Sequence, residues 1–250
     1  SLMLALIGGT VTLPHLLIRQ YAVKDPAAAR KSSGLALVLI ALGALLALSL
    51  GLGAMASMQL DPTRPLLAAT LFAKSFGSLP FALLSAIAFL AVLGSGAGLL
   101  LAAAGALAHD LLPALGQRPL DERGTLRTAR IAALAVGILT LLVALAGPGM
   151  DPFFLLLWAL DIAAAANLPA LTLRLFWKRA TTRAITASIL VGLGSTLLWL
   201  LLSPDAFTHL YHLPASSAPV PFNHPTLLTL PLATLTLILL SLTTPRPRPQ

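Results

Sequence analysis

Asp161 is the residue on which most chemistry could turn. It is the one acid deep inside an apolar run, LLLWALDIAAAANLPAL. A carboxylate there costs about 3 kcal/mol on insertion scales, so such a residue faces a cavity, an ion or a partner, or stays neutral and bonded to nearby backbone. The chemistry it offers is cation or proton handling. A second place is Gly8, Gly9 and Thr10, which with Pro14 interrupt the apolar run LMLALIGGTVTLPHLL. Glycine costs roughly 1 kcal/mol in a helix interior, and proline removes an amide donor. Irregular backbone survives at membrane depth only when buried in protein or lining a watery cavity. A broken helix with free amides and carbonyls at Gly8, Gly9 and Thr10 is therefore one reading, and a plain kinked helix is the other. A third place is the small, slightly polar patch 91–98, AVLGSGAG. It suits an ion or another backbone at close range, or helix packing alone.

Other residues offer less. His15 and Arg19, at i and i+4, suit headgroup or loop contacts. His209, His212 and His224 share a proline-rich segment with only Asp205, a poor ligand set for a metal. Asn167 and Pro169 suggest a kink. There is no HExxH, GxSxG, phosphate loop or dinucleotide turn in a suitable context, so neither an enzyme nor a cofactor is expected. With no cysteine there is no thiolate site or disulfide.

The elements that must position these residues are membrane helices. The chain has 250 residues, 58% of them hydrophobic and 10% charged, with a mean hydropathy of +0.92. That is an all-α, polytopic helical membrane protein. Residues 80–108 run without a charge, roughly 43 Å as one helix and longer than the hydrocarbon core. The pattern predicts a broken helix over 2–22 and spans at 34–57, 80–109, 130–146, 152–175, 184–202 and 225–242. It predicts loops at 24–33 and 110–128, a short amphipathic piece near 66–76, a tight turn at 147–149 and a disordered tail over 243–250. Residues 1–242 read as a single transmembrane domain. Of the 16 Lys and Arg, all but Arg64 and Lys74 fall in alternate loops and the tail. This places those loops and the tail in the cytoplasm of an inner-membrane protein. The net charge of +8 is then a topology signal, and no nucleic-acid partner is expected. The partners expected are the lipid bilayer and a solute. Because Ser1 opens within an apolar run, upstream helices of the same protein are expected as well.

The segment GGTVTLPHLLIRQYAVKDPAAARKS resembles Gly-Thr-x-Gly-Leu-Pro-His-Ile-Leu-x-Arg-Phe…Ala-Arg-Lys-Ser of the sodium:solute symporters, especially the cation/acetate branch. AGALAHDLL resembles that family's Ala-Ser-Ala-x-Ser-His-Asp-Leu-Tyr, and NLPALTLRLFWKRATTRAI its Asn-x-Pro…Tyr-Trp-x-x-Thr-Thr-x-Gly-Ala. The resemblance covers about residues 1–200. It implies a partial five-plus-five inverted-repeat, leucine-transporter-like fold that lacks the first repeat and begins at the family's broken core helix six. It places the cation-binding positions of the family's helix eight on Ala91, Gly94 and Ser95. Gly94 lacks the expected hydroxyl, so either Na+ or H+ is the coupling ion. No other metal is expected. Asp161 also departs from the family's usual small or apolar residue, which leaves it free for cation or proton coupling.

The expected function is cation-coupled uptake of a small organic anion, such as acetate or another monocarboxylate, by alternating access. The substrate would lie beside Gly8, Gly9 and Thr10. The alternative is a symporter-like sensor module of a signalling protein.

Overall fold

A computed structural model describes residues 1–21, 25–57, 67–111, 121–146 and 152–244. The expected turn at 147–149 and the tail beyond Thr244 lie outside the described residues. Every regular element described is helical, and six helices are long and apolar enough to cross a membrane. The protein is an all-α polytopic membrane protein. Its chain divides into two compact units, one of residues 1–17 with 137–250 and one of residues 18–136.

The first unit contains α1 (Leu2–Val11), and α2 (Pro14–Tyr21) begins in it. The expected break in residues 2–22 exists, but its place needs correction. Helix α1 runs straight through Gly8, Gly9 and Thr10, so the backbone there is not open. The interruption is at Thr12 and Leu13, directly before Pro14. Proline disfavours helical geometry in the residue before it and brings no amide donor of its own.

The second unit holds α3 (Pro26–Ala56), α4 (Ala68–Lys74) and α5 (Ser78–Gly105), the last continuing into a π-helical stretch, Ala106–Leu111. Helix α3 starts eight residues before the expected span, inside the expected basic loop. Asp25 caps it by accepting from the Ala28 amide at 2.6 Å, with Pro26 in the first turn. Helix α4 packs against both α3 and α5. Gly53 admits the Phe72 ring, and Phe72 meets Phe76 edge-on at 5.0 Å. The expected amphipathic piece is α4.

Helix α6 (Glu122–Ala146) crosses the division between the units and also starts inside an expected loop. The side chain of Asp121 accepts from the Gly124 amide at its head.

The first unit continues with α7 (Pro152–Phe176), α8 (Thr182–Leu201), the short α9 (Pro204–His209) and α10 (Thr226–Thr243). Helix α7 packs against α1, α8 and α10, and α8 packs against α10. The interior is made of small residues: Ala163, Ala164, Ala165, Ala184, Ser188 and Ala233 are buried. Between apolar helices in lipid, burial from water gives no driving force, so close backbone approach and hydrogen bonds hold the bundle. Gly192 lies against the backbone of Ala165 and Ala166, and Ser188 Oγ donates to the Ala233 carbonyl at 2.8 Å. Half of the most apolar stretch of α7 is buried inside the structure, against none of that in α3.

Candidate functional site

Asp161 sits on α7, nine residues after Pro152, about 14 Å along the helix. It is the one ionisable residue wholly buried among the described residues. Both carboxylate oxygens have a donor. Thr226 Oγ1 donates to Oδ1, and His224 Nδ1 lies 2.8 Å from Oδ2. The expected backbone partner is replaced by two side chains at the entry to α10. The His224 side chain is 19% exposed, so the pair reaches the surface of the bundle through the imidazole ring. A carboxylate only accepts, so Nδ1 carries the hydrogen when Asp161 is ionised.

The same joint holds the head of α1. Ser1 Oγ donates to the His224 carbonyl and accepts from the Leu227 amide at 3.1 Å. At the other end of α1, Thr12 Oγ1 lies 2.9 Å from the Gly8 carbonyl and 3.1 Å from the Ala163 carbonyl of α7. Between these ties the glycines lie on α7. A Cβ on Gly9 would come 2.5 Å from the Leu160 carbonyl oxygen, and one on Gly8 3.0 Å from the Leu168 side chain. Gly8 and Gly9 are buried, whereas Thr10 is exposed and its hydroxyl donates to the Leu6 carbonyl at 2.7 Å. Interhelical hydrogen bonds in membranes average about 0.6 kcal/mol. Thr12→Val, which keeps the shape, is therefore expected to cost roughly that amount in a denaturant melt of the full-length protein.

Ala91, Gly94 and Ser95 lie on α5 and are exposed, and a Cβ added to Gly94 would meet nothing within 4 Å. They belong to the unit of residues 18–136, Gly8, Gly9, Thr10 and Asp161 to the other. The histidines of the proline-rich segment separate: His224 binds Asp161, His209 stacks at 5.3 Å on Phe154, and His212 is exposed. Asn167 and Pro169 lie inside a helix that continues past them to Phe176.

His224 and Thr226 were not singled out as partners of Asp161. A signal existed: both flank Pro225 at the head of the last span, and with consecutive spans antiparallel that head lies on the same side of the membrane as the start of the span bearing Asp161.

Comparison with known proteins places this geometry in context. The model of the sodium:solute symporter family matches residues 1–192. The chain is 36% identical over 248 residues to the uncharacterized symporter YwcA of Bacillus subtilis, covering 94% of this chain and 47% of that protein. It is 37% identical over 244 residues to a monocarboxylic acid transporter of Corynebacterium glutamicum, covering 93% of this chain and 44% of that protein. The chain thus spans about half the length of these curated relatives. No solved structure matches it.

Proposed function

Because the chain belongs to the sodium:solute symporter family, we propose that it forms the C-terminal half of a cation-coupled transporter for a small monocarboxylate such as acetate. The matches are to transporters rather than enzymes. The observation that carries the substrate class is the 37% identity to a protein named for monocarboxylic acids. Upstream helices supply the rest of the transport path.

In this reading the coupling cation binds on α5 at Ala91, Gly94 and Ser95, with the Ser95 hydroxyl as its side-chain ligand. The substrate lies beside Gly8, Gly9 and Thr10 and the chain break that follows. The Thr12 and Leu13 amides at the break donate to the Gly9 and Thr10 carbonyls and Pro14 has no amide hydrogen, so this placement rests on the family resemblance. The basic loops face the cytoplasm. A membrane potential then adds ~2.3 kcal/mol per charge per 100 mV to the driving force.

Uptake of labelled acetate, pyruvate and propionate by the full-length protein in proteoliposomes, with and without sodium, tests this reading. Saturable uptake of at least one of them, stimulated by an ion gradient, is expected. Ser95→Ala, which removes the hydroxyl oxygen that would coordinate the ion, is expected to raise the sodium concentration for half-maximal uptake about tenfold, or about 1.4 kcal/mol. Uptake that never exceeds that of empty vesicles removes the proposal, and an unaltered sodium dependence in Ser95→Ala removes the site.

A further inference from the structure

We propose that Asp161, His224 and Thr226 form a proton-binding site on the outer side, whose occupancy sets how firmly the broken helix α1 and the head of α10 are held on α7. The inference rests on the transporter reading above, with its cytoplasmic basic loops, for the side of the membrane and the effect on uptake, and on the side-chain geometry for the contacts of the site itself.

The site needs a proton to be electrically complete. Asp161 is wholly buried, and among the described residues its only close ionisable partner is the imidazole at 2.8 Å. With the imidazole protonated, the pair carries no net charge. When that proton leaves for water, a single negative charge stays inside the bundle, where an unpaired charge is expensive. The surrounding elements offer no substitute cation. Helices α1 and α10 carry no ionisable side chain, and α8 carries only Arg183, in its first turn at the far end from Leu201. On α7 itself the other ionisable residue is Arg174, 13 positions further along. From the neighbouring segment, α9 brings Asp205 and His209. Asp205 is engaged with Asn223, whose Nδ2 donates to it at 2.7 Å, and His209 stacks on Phe154. Neither neutralises Asp161, which leaves a proton on the His224–Asp161 pair to do so.

The structure also gives proton occupancy something to move. Pro225 and Thr226 follow His224 directly, so its ring ties the head of α10 to α7. Through its carbonyl, His224 accepts from Ser1 at the head of α1. Thr12 anchors the other end of α1 to Ala163, two residues beyond Asp161. Helix α1 carries Gly8, Gly9 and Thr10. Loss of the proton weakens the charge-assisted contact between His224 and Asp161, and with it the hold on the helix beside which the substrate is placed. Protonation from the outer side therefore favours uptake. The proton comes from external water onto the imidazole through its exposed edge, and no other reactant is needed.

The test uses the full-length protein with two readouts. In proteoliposomes with a clamped internal pH, wild-type uptake is expected to rise as external pH falls from about 8 to 5.5. Asp161→Asn and His224→Gln are each expected to flatten that profile. A profile unaltered in either variant overturns the proposal. The second readout does not depend on transport. Diethyl pyrocarbonate acylates unprotonated imidazole, and mass spectrometry locates it. At neutral pH, labelling of His224 relative to the exposed His212 is expected to rise severalfold in Asp161→Asn. An unchanged ratio removes the proton site even if uptake is robust. A raised ratio in a protein without uptake keeps the site and removes the transporter reading.

Discussion

Replacing His224 by leucine is expected to destabilise the protein by about 3–5 kcal/mol, the range for removing one partner of a buried ion pair. Among the described residues, Asp161 would keep a single side-chain donor, the Thr226 hydroxyl, and would lose its one ionisable partner. The high end of the range follows from the complete burial of the carboxylate. The exposed edge of the imidazole matters less, because the group left behind is the buried one. A double-mutant cycle separates the charge from the packing. Asp161→Asn removes the negative charge while its amide oxygen still accepts from Thr226, so the variant carrying both changes is expected to be more stable than His224→Leu alone. Melting of the detergent-purified full-length protein reads both. Losses that simply add would show that His224 holds this joint by shape and that the ion pair contributes nothing.

The anomaly at Asp161 was legible in the sequence and its resolution was not. An acid inside LLLWALDIAAAA is visible at sight, because period and hydropathy are local properties. Its partners lie 63 and 65 residues away. They reach it through the packing of α7 against α10, and nothing local encodes that pairing. The helix break shows the opposite error. Gly8 and Gly9 read as points of unwinding, yet the missing side chains serve close approach to Leu160 and Ala164, and the unwinding is left to Pro14. Both uses of glycine give the same sequence signal. Helix α3 was cut short because a basic stretch reads as loop, although Asp25-Pro26 already spelled a helix start. Each of the six long apolar helices overlaps an expected span, although α3 and α6 each start eight residues before it. Ala91, Gly94 and Ser95 could be placed on one helix from sequence. What they face depends on elements outside this chain's own pattern.

Gly9→Leu is expected to separate α1 from α7. A Cβ at this position would lie 2.5 Å from the Leu160 carbonyl oxygen, 2.9 Å from its Cα and 3.0 Å from its carbonyl carbon. All three are backbone atoms of a helix, so no change of rotamer relieves the clash. Overpacking typically costs 1–3 kcal/mol, and a clash with backbone should reach about 3 kcal/mol, because an entire helix must shift. Leu160 directly precedes Asp161, so the shift strains the Thr12 contact to Ala163 and the Ser1 contact to His224 together. Uptake by the full-length protein is expected to fall at least tenfold, about 1.4 kcal/mol in transition-state terms, even where the variant still folds. Gly43→Leu on α3 is the matched control. Nothing among the described residues lies within 4 Å of its added Cβ, so its loss of stability should be smaller than that of Gly9→Leu. Should Gly9→Leu melt with Gly43→Leu and transport normally, the contact of α1 with α7 would not be what seats the broken helix. The proton site would then have no helix to act upon.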